Sequence, residues 1–164
     1  MEDTPVRFSK RFFQFLFCLM ALLVFAGCGN STSVTTTNPT SVKPTAPFIQ
    51  IATATLNGAS KTILVTAPGL TLYYSTADTA TTSACTGPCT ATWHPLMFAG
   101  PGNPIAPQAL PGKLSLLATA AGNQVEYNGH LLYTYTQDTA PGQAAGQGLL
   151  GKWFVATPDL PTNG

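Results

Sequence analysis

From Phe48 onward, apolar and polar side chains alternate with a period of two, the signature of strands with one buried face. Phe48-Ile49-Gln50-Ile51-Ala52-Thr53-Ala54-Thr55-Leu56 reads as a strand. Asn57-Gly58 after it is a tight-turn dipeptide, because both central residues of a type I′ turn need a positive φ. Lys61 to Thr66 predicts a second strand, Ala67-Pro68-Gly69 a turn, and Leu70 to Thr76 a third strand. The scheme then recurs. Leu114 to Thr119 and Gln124 to Tyr127 are joined by Ala120-Ala121-Gly122-Asn123, and Asn128-Gly129 turns into Leu131 to Thr136. Each set closes on a tryptophan segment, Trp93 to Phe98 or Trp153 to Thr157, and no window in this part of the chain has helical periodicity.

The recurrence is an internal repeat with an offset of 60 residues. Between positions 65–93 and 125–153, 29 pairs in all, 10 residues are identical, including Gly69 with Gly129, Tyr73 with Tyr133, Asp78 with Asp138 and Trp93 with Trp153. Composition alone would give roughly two or three. The 111 residues from 48 to 158 suffice for one hydrophobic core and are marginal for two. The expected fold is therefore all-β: two tandem meander-type repeats of ~50 residues packed into one pseudo-symmetric domain. Repeat one spans 48–98 and repeat two 113–158. Between them, Ala99 to Gly112 holds four prolines and three glycines and reads as an irregular loop. Residues 159–164 are left as a tail.

The N-terminal pattern is different. Arg7, Lys10 and Arg11 precede an apolar run of 14 residues, Phe12 to Phe25, broken only by Gln14. That run suits the core of an export signal and falls short of the roughly 20 residues a spanning helix needs. Val24-Phe25-Ala26-Gly27-Cys28 follows and resembles the lipobox of bacterial lipoproteins, with Phe25 in place of the usual leucine. The resemblance implies that residues 1–27 are removed and that Cys28 carries lipid. Residues 29–47 hold no aromatic side chain and little to bury, so a disordered Thr/Pro-rich tether is expected from 28 to 47. Three acyl chains would exceed the two-signal threshold for stable anchoring. Gly29 stands where an aspartate often retains lipoproteins at the inner membrane, which favours the outer membrane in a cell with two.

Charge narrows the partners. From Cys28 to Gly164 the ionisable chains are Lys43, Lys61, Lys113 and Lys152 against Asp78, Glu126, Asp138 and Asp159, a net charge of zero. Without a basic cluster there is no electrostatic footprint for nucleic acid. The remaining expected partners are the membrane, through the lipid, and an unidentified protein or glycan.

The repeat blocks carry a family resemblance. Tyr133-Thr134-Tyr135-Thr136-Gln137-Asp138 has the form Tyr-x-aromatic-x-x-Asp; Gly146-Gln147-Gly148 leads to Trp153-Phe154-Val155; and Cys85-Thr86-Gly87-Pro88-Cys89 precedes Trp93. Over residues 60–158, together with the lipobox, the chain resembles the bacterial "secreted repeat of unknown function" lipoproteins. The resemblance implies a fold and an extracytoplasmic address, and no reaction. Its motif residues here are Tyr73, Asp78, Trp93, Tyr133, Tyr135, Asp138 and Trp153. The first copy departs from the motif at Ser75, where an aromatic is expected, and His94 stands where the family more often has proline.

Two readings of the motif compete. In the structural one, Tyr133 and Tyr135 share a strand face with Leu131 and bury their rings. Asp138 then bonds backbone amides of the Thr139-Ala140-Pro141-Gly142 turn, with Asp78 doing the same in the first copy. In the other, the tyrosines line an aromatic ligand groove. The structural reading is preferred. Cys85 and Cys89 also have two readings: a disulfide closing a five-residue loop, or thiolates that join His94 and Met97 as a copper or thiol-redox set. A copper site of that kind uses a second, upstream histidine, and the exported chain has none before His94. The disulfide is preferred, and no cofactor is expected.

Catalysis is not expected either. The four carboxylates are scattered, no Gly-x-Ser-x-Gly elbow occurs, and no acid–histidine set stands out. The glycine-rich stretch Gly142 to Gly151 leads into a strand and not a helix, so it reads as a turn and not as a phosphate cradle. The function expected from sequence is a membrane-anchored extracytoplasmic lipoprotein that binds or supports envelope components without catalysis.

Overall fold

A computed structural model describes residues 48–106 and 110–163. The signal, Cys28 and the tether lie outside the described residues. No helix among the described residues is long and apolar enough to cross a membrane.

The fold is all-β. Strands β1 (Ile49–Leu56) and β2 (Ala59–Thr66) form a hairpin from Ile49↔Thr66 to Leu56↔Ala59. Its turn is the anticipated one, with Asn57 at φ 51 and Gly58 at φ 80. Strand β3 is Tyr73–Ser75 and β4 is Trp93–Pro95. In the second copy β5 (Leu114–Thr119) and β6 (Gly122–Tyr127) form the matching hairpin, and the Asn128-Gly129 turn leads to β7 (His130–Leu131) and β8 (Tyr133–Tyr135). Strand β9 is Trp153–Val155, and a short 3-10 turn precedes both tryptophan strands, at Gly87–Ala91 and at Leu149–Gly151.

The copies interleave in a way the sequence expectation lacked. The four-stranded sheet runs β4-β8-β3-β9. At its centre the two tyrosine strands face each other at Tyr73↔Tyr133. The tryptophan strand of each copy pairs with the tyrosine strand of the other: Trp93↔Tyr135 on one side and Ser75↔Trp153 on the other. Beyond the strands the exchange continues. The Leu96 amide donates to the Leu132 carbonyl and the Val125 amide to that of Leu96, while Leu64 donates to Ala156 and Ala156 to Leu72. Each tryptophan segment therefore closes the opposite repeat and not its own, so the three-residue strands β3, β4, β8 and β9 find their strand partners only in the other copy.

The two faces of this sheet carry separate apolar clusters because alternation sends neighbouring residues to opposite sides. Ile63, Val65, Tyr73, Leu131, Tyr133, Tyr135, Trp93 and Trp153 pack in one cluster. Leu64, Leu72, Val125, Leu132, Ala156 and Leu160 pack in the other. The segment expected as a tail belongs to the second. Leu160 is buried, and the segment is strapped down by Tyr127 Oη donating to the Pro158 carbonyl (2.6 Å), Asn128 Nδ2 to that of Leu160 (2.6 Å), and the Asn163 amide to Asn128 (2.8 Å).

The outer edge of β9 is capped from within. Residues 152 and 156 bond inward to β3, so the Val155 amide points away from the sheet, where Gln147 Oε1 accepts it at 2.9 Å. At the equivalent edge position of β4 stands Pro95, which has no amide to cap, and the residue matching Gln147 is Gly87. Both solutions blunt an edge that would otherwise template another strand.

Candidate functional site

The motif residues meet in the core between the repeats. Trp93 and Trp153 stack with ring centroids 3.8 Å apart and planes 5° from parallel, across the pseudo-twofold. Tyr135 stacks on Trp93 at 4.5 Å, and each strand-centre tyrosine meets its own repeat's tryptophan edge-on: Tyr73 with Trp93 at 5.3 Å, Tyr133 with Trp153 at 5.1 Å. These geometries suit the ring quadrupoles. Ser75 stands opposite Trp153 where Tyr135 stands opposite Trp93, so only one tryptophan receives a stacking tyrosine on that strand. All five rings are buried, which places Tyr133 and Tyr135 inside the core and leaves them no open groove to line.

Hydrogen bonds tie the copies together reciprocally. Tyr73 of repeat one donates its hydroxyl to Asp138 Oδ2 of repeat two, and Tyr133 donates to Asp78 Oδ2 at 2.8 Å. The second oxygen of each aspartate takes a loop amide: Ala145 to Asp138 Oδ1 at 2.9 Å, and Ala84 to Asp78 Oδ1 at 2.7 Å. This corrects the expected turn role. The Ala140–Gln143 turn forms, with Pro141 leading into Gly142 at φ 83, but the amides of Thr139 and Ala140 go to Gln143 Oε1. Asp138 holds the next loop and the other repeat's tyrosine instead.

Burial dominates the electrostatics. It raises the Asp78 carboxyl above its ordinary range, against the opposing pull of its bonds from Ala84 and Tyr133. Burial and the aspartate partners push both phenols well above 10. Tyr73 and Tyr133 therefore act as neutral donors, and the four aspartate oxygens serve as their acceptors and as acceptors for the loops.

Gly146, from the Gly-Gln-Gly element, is required by close packing. A Cβ there would lie 2.7 Å from the Trp93 ring and 2.8 Å from that of Tyr73, while its amide donates to Tyr73 Oη at 3.2 Å.

Cys85 and Cys89 are joined as a disulfide with Cα atoms 5.3 Å apart. Both sulfurs that a copper set would need as thiolates are thereby bonded to each other. His94 alternates with buried Trp93 and points into solvent, and Met97 bridges to Gln124 on β6. Among the described residues no group of three or more His, Cys, Asp or Glu side chains is arranged to hold a metal.

The open surface lies elsewhere, on a face the sequence reading passed over. A groove of about 920 Å³ runs between the β1–β2 hairpin tip, strands β3 and β9, and the strap after Val155. In its lining Tyr74 and Phe154, paired across the sheet, present half-buried rings with centroids 6.1 Å apart. Asn57, Ser60 and Lys61 line one wall, Thr157 and Asp159 another. The Thr157 hydroxyl holds Asp159 below the usual carboxylate range, and Lys61 adds to the effect. A second pocket of about 270 Å³ shares Tyr74 and continues past His130, Asp78 and Asn163. His130 lies edge-on to Tyr74 at 4.7 Å. The signal that could have found this face is the comparison of copies at outward positions. Tyr74 and Phe154 correspond to Thr134 and His94, so the repeat scaffold does not itself require aromatic rings there.

Comparison with known proteins agrees with the repeat. No curated protein and no solved structure matches the chain. The model of one family matches at residues 54–97 and again at 116–157, one match per repeat and more than half of the chain together. With two interlocked copies of the Tyr–Asp–Trp unit and both matches falling on them, the chain belongs to the family described as "secreted repeat of unknown function".

Proposed function

We propose that this protein is an extracytoplasmic lipoprotein, anchored through Cys28, whose β domain is a non-enzymatic binding module of the cell envelope. The observation that carries the binding part is the division of labour between the motif and the groove. The motif's carboxylates are buried, at 7% and 3% exposure, and their oxygens are occupied by the chain's own donors. The groove beside them is open and its volume is within the ~300–1,000 Å³ of small-ligand sites. The anchoring part is supported by the basic, apolar and Ala-Gly-Cys succession ending at Cys28.

Metabolic labelling with a clickable palmitate analogue tests the anchor. The native chain is expected to take up label and to fractionate with membranes, and Cys28→Ser to take up none. A native chain that fractionates with membranes unlabelled would overturn the lipid anchor in favour of an uncleaved signal. The binding part is tested together with the inference that follows.

A further inference from the structure

Resting on the binding-module reading, we infer that the groove over Tyr74 and Phe154 takes an extended, neutral, β-linked glycan chain. Three features of the groove converge on that chemistry. The first is its floor. Tyr74 and Phe154 lie side by side on neighbouring strands with planes 35° apart, and His130 meets Tyr74 edge-on at 4.7 Å. These two half-buried rings offer adjacent apolar platforms, which match the C–H faces of consecutive pyranose units. The two pockets meet at Tyr74, so the path continues past one ring instead of ending there.

The second feature is the walls. Asn57 and Ser60 present an amide and a hydroxyl that pair with sugar hydroxyls in either donor or acceptor sense, and Gln147, whose Oε1 holds the Val155 amide, adds its Nε2 as a donor. Residues 157–163 run alongside both pockets and are held by Tyr127 bonding Pro158, Asn128 bonding Leu160 and Asn163, and His130 bonding Pro161. The wall is thus fixed before any ligand arrives, which lowers the ordering cost of binding.

The third feature is charge. Lys61 and Asp159 line the same groove with opposite signs, and the exported chain as a whole has net charge zero. Nothing there complements a phosphate-bearing polymer or a strongly acidic partner. The pseudo-equivalent place on the other half of the sheet, Thr134 beside His94, lacks the Tyr–Phe pair and serves as an internal control for it.

The test uses the full chain in a non-ionic detergent free of sugar head groups. Isothermal titration is run with cellohexaose, with chitohexaose, with inorganic polyphosphate, and with a synthetic peptide copying residues 29–47. Saturable binding of at least one hexasaccharide, and none of polyphosphate, is expected. Tyr74→Ala and Phe154→Ala should each weaken it about tenfold, the loss of one ring platform. His94→Ala and Thr134→Ala should leave it unchanged. Tyr74→Phe, which keeps the ring, should retain affinity within about twofold if stacking dominates. The near-ultraviolet dichroism of the Trp93–Trp153 stack reports whether each variant is folded; where one ring deletion is not, the deletion of the other ring decides, with Tyr74→Leu as the milder change that still removes the platform.

Glycan binding that survives both ring deletions overturns the groove assignment and leaves the binding reading standing. Binding of the 29–47 peptide, or of polyphosphate, in place of any hexasaccharide overturns the glycan as occupant. No binding of any of the four overturns the glycan and removes the support for the binding module as well.

Discussion

The two Tyr–Asp bonds look equivalent by symmetry, yet the structure predicts that one tolerates an amide and the other does not. In Asp138→Asn a single oxygen replaces two. If it keeps the Ala145 amide (2.9 Å), the new NH2 faces the Tyr73 hydroxyl. That hydroxyl already accepts from the Gly146 amide, and among the described residues its proton has no acceptor besides Asp138. A buried O–H is left unsatisfied, at about 1–3 kcal/mol, and a charge-assisted bond is lost with it. In Asp78→Asn the same logic starts with Ala84 at 2.7 Å and an NH2 facing Tyr133. Here Ser83 Oγ lies 2.8 Å from the Tyr133 hydroxyl and accepts its proton, while the Ser83 proton goes to the Cys85 carbonyl at 3.1 Å. The Tyr133 and Ser83 hydroxyl protons both keep an acceptor. The Asp78 carboxyl also carries a burial cost in its charged form, and asparagine removes it. We expect a loss of about 2–3 kcal/mol for Asp138→Asn and under about 1 kcal/mol for Asp78→Asn. Urea unfolding at pH 7, followed by tryptophan fluorescence, measures both, since the only two tryptophans sit in the core stack. At about 4 °C per kcal/mol the melting temperatures should fall by about 10 °C and by under about 4 °C. Equal losses, or a larger one for Asp78→Asn, would refute the argument that Ser83 supplies the spare acceptor.

Four further outcomes follow from the same structure. Gly146→Ala forces a methyl against Trp93 and Tyr73, and should cost about 1–3 kcal/mol with a changed near-ultraviolet spectrum; an unchanged spectrum and stability would show that the loop moves aside freely. Replacing Cys85 and Cys89 by serine together should cost only about 2 kcal/mol, because the loop closed is five residues, and a folding defect as large as complete loss of structure would contradict a local staple. Burial holds His130 below its ordinary 6.5 while Nε2 bonds Pro161, so the unfolded chain takes up a proton first and stability is lost as pH falls from 6.5 toward the folded value. Asp78 has the opposite sign, since its raised value returns stability as pH falls through it toward 3.8; His130→Phe should therefore flatten the decline just below pH 6.5, and an unchanged slope would exclude His130 as its source. Finally, fragments 48–106 and 107–164 expressed separately should each lack the tryptophan near-ultraviolet signal and regain it on mixing, whereas a folded half would contradict the exchanged strands.

Much of the secondary structure was legible because it is local. Asn57-Gly58 and Asn128-Gly129 take the positive φ values that their residue types favour, and the strand alternation around Leu131-Leu132-Tyr133 correctly divides Tyr133 from Leu132. The cysteine pair was also readable, as a five-residue loop with Gly87-Pro88 inside it. The aspartates were legible as important and misread in role. Their partners lie 65 and 55 residues away in sequence, and no local pattern encodes which hydroxyl reaches which carboxylate. The residues after 158 read as a tail because their composition is polar and turn-rich. They are packed through a single leucine and through main-chain carbonyls, which any sequence has.

The groove was missed for a related reason. Tyr74 reads as one more aromatic in a strand, and Phe154 as part of a tryptophan segment. They become one surface only because β9 of the second copy lies beside β3 of the first. By itself the sequence determined the strand content, the turns, the repeat and the family, since these rest on residue preferences a few positions apart and on comparison of the chain with itself. Tertiary structure alone decided that the copies exchange their tryptophan strands, that the motif is a lock between repeats, and that Tyr74 and Phe154 share a groove beside it. Pairing between strands of two to three residues is set by long-range packing, and alternation can say which face a side chain takes without saying whose strand lies next to it.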